Sequence, residues 1–312
     1  MNYVFGPVYS RRLGKSLGID TVPFKICSQD CIYCQLGPTT CKSLERASFC
    51  SPEVIIKELL QKLQTSKTDY ITLAGSGEPT LCLELGQVIS KIKKVTSIPV
   101  VVLTNGLLMS RQEVREELKQ ADVVCPSLDA GNEYVFQRVN RPVPGIDFDT
   151  FLNGLIEFRK EYEGQIWLEV LLVRGITDTK DEVIQIAQCS ARINPDRIHL
   201  NTVTRPPADS SISGLTVPEL EEFSSLFTPT AEVIAEYPAG IENNPIEDEK
   251  IISANDILEI LQRHPCSITE LSFALNTKET NIHPLLKDLL HQKRIESFNI
   301  RGRELYRFIK PE

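Results

Sequence analysis

Three cysteines crowd into eight residues of the segment PFKICSQDCIYCQLG: Cys27, Cys31 and Cys34, spaced C-x3-C-x2-C. Sulfurs held this close by one loop converge on a single centre, and thiolates select soft metals. A structural zinc ion needs a fourth ligand to close its tetrahedron. No histidine precedes His199, so a local fourth ligand would have to be Cys41 or Cys50. Three sulfurs without a fourth suit a [4Fe–4S] cube that leaves one iron open. Zinc and cluster both satisfy the spacing, and residues further along the chain must separate them.

The remaining thiols read differently. Nine cysteines in a chain expected to be cytosolic are better taken as metal ligands and small buried side chains than as disulfides. Cys125 and Cys189 sit inside apolar periodic runs, where a free thiol packs as a hydrophobe. Cys41 and Cys50 are too few for a second cubane of their own.

Polar residues collect where apolar runs end. Gly75-Ser76-Gly77-Glu78-Pro79 closes one run. Glycines there let backbone carbonyls approach a cationic ligand, and Glu78 supplies countercharge. Thr104-Asn105-Gly106 and Ser127-Leu128-Asp129 end two more runs, Arg174 a fourth, and His199-Leu200-Asn201 lies on a fifth. Arg138, Asn140 and Arg141 follow in RVNRP. Each short motif also serves as an ordinary turn or helix cap, and His199 reads first as a satisfied core histidine. The stretch GPVYSRRLGKSLGID bunches Arg11, Arg12 and Lys15. It is either a solvated loop or a strip over the site that binds an anionic substrate.

The elements that position these groups alternate regularly from about residue 51. Short β-rich runs (DYITL, PVVVLTNG, ADVVCPSLD, QIWLEVLLVRG, DRIHLNTV) are separated by amphipathic helical segments. Such alternation indicates parallel β/α units with helices outside. Five strands after one near SLGIDTVPF make six, too few for a closed barrel of eight but suited to an open one. Ligand sites of such folds lie at the carboxyl ends of the strands, where the polar residues fall.

The alternation stops at RPPADSSISGL, and one more helix and a strand-like AEVIAEY follow. Residues 1–240 are therefore expected to form the partial barrel, 241–249 a polar linker and 250–312 a small separate domain. That tail reads as three helices and two strands across Arg301–Gly302, the pattern of a winged helix-turn-helix. Its expected core is Ile257, Leu261, Leu271, Leu285, Leu289 and Tyr306. The 312 residues are 41% hydrophobic and 24% charged, ordinary for a globular protein. A formal charge of −8 excludes a chain basic all over that coats nucleic acid, and leaves room for a local patch. No run of about 18 apolar residues exists, and the first residues lack a signal peptide's apolar stretch, so the expectation is a cytoplasmic protein outside the membrane.

The cysteine spacing with Tyr33 before its last member, together with RRLGKSLGID, AGSGEPTL, PSLDAGNE and NTVTRPPA, resembles the radical S-adenosylmethionine (SAM) superfamily over about residues 3–205. Within it the chain is similar to a group of prokaryotic Fe–S oxidoreductases, distantly related to wybutosine-synthesising and glycyl-radical-activating enzymes. The resemblance implies an α/β fold, a partial (β/α)6 barrel. It implies Cys27, Cys31 and Cys34 as the catalytic ligands of a [4Fe–4S] cluster and Tyr33 near the adenine of SAM. Gly77, Glu78, Pro79, Thr104, Asn105, Ser127, Asp129, Arg138, Arg174 and Asn201 are its implied SAM-binding positions. The implied reaction is reductive cleavage of SAM, fed by an external electron donor, to a 5′-deoxyadenosyl radical that abstracts hydrogen from a substrate.

The substrate is not named by the resemblance. One expectation is RNA docked by the winged helix, since Lys293, Arg294, Arg301, Arg303, Arg307 and Lys310 face only Glu296 and Glu304 in that stretch. Activation of a partner protein and chemistry on a small metabolite are the alternatives within the class. A non-catalytic Fe–S sensor regulating transcription is the reading from another class. The strand-end polar residues favour the enzyme, because a sensor has no use for a SAM pocket.

Overall fold

The computed structural model describes residues 3–235, 252–263, 265–300 and 303–309. It begins with β1 (Val4–Ser10) and β2 (Gly14–Ile19), then two short strands, β3 (Ile26–Cys27) and β4 (Cys41–Lys42). The alternating region follows: α1 (Pro52–Leu63), β5 (Tyr70–Leu73), α2 (Leu85–Val95), β6 (Val100–Thr104), α3 (Gln112–Leu118) and β7 (Val123–Pro126). It continues through α4 (Glu133–Val139), α5 (Phe148–Glu161), β8 (Gln165–Leu172), α6 (Lys180–Ile193), β9 (Arg197–Thr202), α7 (Val217–Ser224) and β10 (Glu232–Val233). The helices start where their side chains can cap them: Ser51, Asn132, Asp147 and Thr179 each accept a first-turn backbone N–H.

Apart from β3 and β4, which pair with each other, these strands form one sheet in the order β1-β2-β5-β6-β7-β8-β9-β10, parallel throughout except for the β1–β2 pair. From β2 onward, spatial order follows chain order. Each crossover therefore steps the same way, and the right-handedness of such connections stacks the helices on one face. Alternate strand residues divide accordingly. Val100, Val102, Val124, Leu168 and Val170 join the helix-side core. Val101, Val123, Cys125 and Trp167 pack together on the other face, the lumen of the open barrel, with Leu13. The result is an α/β fold around a mostly parallel sheet.

The N-terminal stretch, read as either a solvated loop or a strip over the site, is the antiparallel edge strand β1 and a hairpin tip. Gly6 and Pro7 interrupt its alternation, and the β1–β2 register shifts between Phe5 and Val8 to absorb them. Nor does the tip lie free as a basic strip. Arg12 turns into the lumen, its Nη1 2.5 Å from Glu169 Oε2. Arg11 Nη1 donates to the Ala235 carbonyl at 2.8 Å, beyond β10. The two arginines thus tie the hairpin to the far side of the open sheet.

The tail contains α8 (Ala254–Leu261), α9 (Ile268–Leu275), α10 (Glu279–His291) and the antiparallel pair β11 (Ile295–Ile300) and β12 (Arg303–Phe308). Its core holds Ile257, Leu261, Leu271, Leu289 and Tyr306 as expected, with Ile282, Leu286 and Cys266 besides, while Leu285 is only partly buried. The tail lies against the barrel. Val8 of β1 packs on its core, and the Arg263 guanidinium sits 3.8 Å from the centre of the Phe5 ring. The expected linker 241–249 and the Arg301–Gly302 turn lie outside the described residues.

Candidate functional site

The cysteine loop leaves the carboxyl end of β2 and is fastened to its neighbours backbone to backbone. Lys25 takes a left-handed conformation (φ 61), which turns its N–H onto the Ser76 carbonyl at 2.6 Å. Glu78 N–H donates to the Ile26 carbonyl at 3.0 Å. Gly77 has no space for a side chain, since a Cβ there would lie 2.1 Å from that same carbonyl oxygen. On its other side the loop pairs with the RVNRP segment: Asp30 N–H donates to the Asn140 carbonyl, and Val143 N–H to the Ser28 carbonyl.

Each of the three loop sulfurs faces one nitrogen donor. Lys25 Nζ lies 3.2 Å from Cys34 Sγ, Asn105 Nδ2 3.5 Å from Cys27 Sγ, and Asn140 Nδ2 3.7 Å from Cys31 Sγ. Donors aimed at sulfur suit a thiolate or a metal-bound sulfur. As plain thiols these groups resist ionisation. Burial, then the nearby Glu78 carboxylate, pushes Cys27 up to about 12, and burial pushes Cys31 well above its ordinary value. A metal in place of the protons removes that obstacle, because a coordinating thiol is deprotonated outright. The sulfurs do not gather on one ion: among the described residues, only Cys50, Cys82 and Glu84 bring three such ligand atoms within 4.8 Å of one another. Three separated, donor-backed thiolates fit a cluster that offers each its own iron. The zinc alternative finds no fourth ligand here, since Cys41 is exposed and Cys50 Sγ lies 3.5 Å from Cys82 Sγ instead.

Around this loop the strand ends of β5, β6 and β7 converge. Glu78 is buried, and its carboxylate is engaged rather than presented as a lone countercharge. Oε1 accepts from the Thr80 and Thr104 hydroxyls at 2.6 Å each, and Oε2 from Asn105 N–H at 2.8 Å. It therefore binds the Pro79–Leu81 turn to the end of β6. Asp129 Oδ2 accepts from Tyr33 Oη at 2.5 Å and Asn140 Nδ2 at 2.8 Å, and Oδ1 from Leu171 N–H at 3.0 Å. Burial raises its carboxyl to about 6 against the pull of those hydrogen bonds. Ser127 is half-buried at the end of β7, bridged to Glu169 of β8.

Other expected positions stand apart from the cysteine loop. Arg138 is exposed on α4, and Arg174 forms a two-pronged ion pair with Glu219 at 2.9 and 2.5 Å. Among the described residues neither makes a polar contact with the cysteine loop. Asn201 reaches into the lumen, where its Nδ2 donates to Glu169 Oε1 at 3.1 Å. His199 is a buried lumen residue edge-on to Trp167, its pKa lowered to about 4 by burial and by Arg12. Lys25 and Asp20 were not selected as site residues from the sequence, and Asn140 was noted only within RVNRP, without a role. Lys25 and Asp20 stand in DTVPFK with no motif of their own.

A model of the radical SAM superfamily matches residues 21–188. The chain is 41% identical over 300 residues to the GTPase Obg of Brachyspira hyodysenteriae, covering 96% of this chain but 44% of that protein. It therefore spans less than half the length of that relative. It is 34% identical over 319 residues to a UPF0026 protein of Methanocaldococcus jannaschii, covering 97% of this chain and 98% of that one. A radical SAM methyltransferase from Sphaerobacter thermophilus superposes with a TM-score of 0.52 at 14% identity, over 73% of this chain and 67% of the other. That likeness is one of fold.

Proposed function

Because this chain belongs to the radical SAM superfamily, with a [4Fe–4S] cluster and SAM as its cofactors, we propose that Cys27, Cys31 and Cys34 hold the cluster and that SAM lies across the ends of β5–β7. The observation carrying this reading is the set of three donors, Lys25, Asn105 and Asn140, one aimed at each sulfur. When bound, the cluster supplies the electron that cleaves SAM to methionine and a 5′-deoxyadenosyl radical.

The chain's own residues have simpler tasks. Lys25, Asn105 and Asn140 stabilise negative charge on the sulfurs. Asp129 fixes the Tyr33 hydroxyl beside Cys31, so that the ring can pack against an adenine. Glu78 keeps the glycine turn and the end of β6 in register, so that backbone carbonyls of the turn can meet the SAM ammonium. The substrate would sit at the strand-end mouth, and a cluster held here would need an external electron donor. We place RNA first among substrates, with the tail acting as a winged-helix docking module through Arg294, Arg303 and neighbouring bases.

The test is anaerobic reconstitution with iron, sulfide, SAM and dithionite. Release of 5′-deoxyadenosine, increased by total RNA, is the expected result. No 5′-deoxyadenosine under any condition refutes the enzyme. Release indifferent to RNA refutes only that substrate, leaving a partner protein or a metabolite.

A further inference from the structure

The tail reaches the glycine turn through one buried carboxylate. Asp20, just beyond β2, is 3% exposed. Its Oδ1 accepts the Ser76 N–H at 2.8 Å, and its Oδ2 lies 3.1 Å from Arg263 Nε at the end of α8. The turn is shaped around this carboxylate. Gly75 stands at φ +120, and a Cβ there would fall 1.8 Å from Asp20 Oδ1. Contacts then run on without a break. The Ser76 carbonyl accepts from Lys25 N–H at 2.6 Å, and Lys25 Nζ reaches Cys34 Sγ.

Arg263 is itself held firmly. Its Nη1 donates to the Glu259 carbonyl at 2.6 Å, and its planar face lies on Phe5. A second crossing runs beside it: Arg205, after β9, joins Gln35 of the cysteine loop at 2.9 Å to Glu270 of α9 at 3.1 Å. A carboxylate this buried is costly unless a cation accompanies it. Arg263 is that cation, and it comes from the tail.

We propose that Asp20 and Arg263 are a positioning pair for SAM binding, and that the α8–α9 module is a built-in part of the SAM site. Arg263 keeps the Asp20 carboxylate ionised and aimed, and the carboxylate holds the 75–79 turn in its ligand-ready shape. The proposal rests on the reading that this turn contacts SAM.

The test uses the full chain with its cluster reconstituted, and SAM itself as the probe. Arg263→Ala and Asp20→Asn each weaken SAM binding about tenfold or more, the consequence of losing a charge-assisted hydrogen bond. Iron and sulfide content stay at the wild-type level. In uncoupled SAM cleavage KM rises while kcat holds. Arg263→Lys recovers part of the affinity, and the double variant is no weaker than the weaker single one, as for two members of one pair. Lys62→Gln, which disturbs the separate Lys62–Glu259 contact of the same interface, leaves SAM affinity unchanged.

Unchanged SAM affinity in both single variants overturns the proposal. So does cluster loss in step with SAM loss, or an equal effect of Lys62→Gln, since either marks general loosening. Should Asp20→Asn fail to fold, the Arg263→Ala and Arg263→Lys comparison decides alone. A wild-type protein that binds no SAM takes the underlying reading down as well, and is recognised because the failure precedes any substitution.

Discussion

The Cys27 and Cys125 thiols are both driven up to about 12, chiefly by desolvation, yet only Cys27 has a nitrogen donor at its sulfur. Cys125 packs among Val101, Val123 and Trp167. Replacing Cys27, Cys31 or Cys34 with Ala is therefore expected to abolish cluster absorbance and SAM cleavage, whereas Cys125→Ala retains both. An intact cluster in the Cys31 variant would falsify the assignment. The donors make a finer prediction, because hydrogen bonds to cluster sulfurs help set the potential. Asn140→Ala should keep the cluster but shift its midpoint to a more negative value, as EPR-monitored titration will show. An unmoved midpoint would leave Asn140 a loop fastener only. The cysteines and the Gly-Glu-Pro turn were legible in the sequence because their chemistry lies in adjacent residues. Asn140 was not, since it meets Cys31 across 109 positions, and Lys25 depends on a left-handed backbone that no local motif announces.

At the scale of elements, the lumen side of β8 carries the sharpest electrostatic feature. Burial alone would raise the Glu169 carboxyl, but Arg12 and the Asn201 hydrogen bond hold it below its ordinary value. A depressed carboxyl stabilises the fold above the unfolded-state pKa, and that contribution fades as pH falls through the folded-state value. Arg12→Gln leaves Glu169 without its cation. Removing one partner of a buried pair costs about 3–5 kcal/mol, and these side chains retain enough exposure to place the loss near the lower end. Thermal melts across pH should show the wild-type advantage full at neutral pH and shrinking as both proteins take up the Glu169 proton in acid. A gap that does not change with pH would mean that packing, not charge, ties the hairpin in place. The six central strands were readable because a parallel sheet covered on both faces needs near-continuous apolar runs. β1 was not, because Gly6 and Pro7 break its pattern and the register shift that rescues it is a tertiary property.

For the whole molecule, the helices of the tail could be read from their spacing, but their seat on the barrel could not. Its contacts are made by Phe5, Val8, Asp20 and Arg205, residues with no signature of a binding surface. Deleting residues 252–312 uncovers Phe5 and Val8 and strips Asp20 of its cation. The shortened chain should melt several degrees lower, on the order of 2–4 °C for each kcal/mol lost. Sedimentation should show it self-associating. A monomer melting with the full chain would make the seat incidental. The edge position of β1 carries one more consequence. An open strand edge invites pairing with other chains, and here the covering helices come from the opposite end of the sequence. A ribosome adding about 5–20 residues per second needs roughly 13–50 s to travel from Val8 to the end of α9. For that interval the nascent chain shows a strand whose cover has not yet been made. Codon choice that slows translation beyond β10 lengthens the interval, and lowers the yield of soluble protein, without altering a single residue of the finished fold.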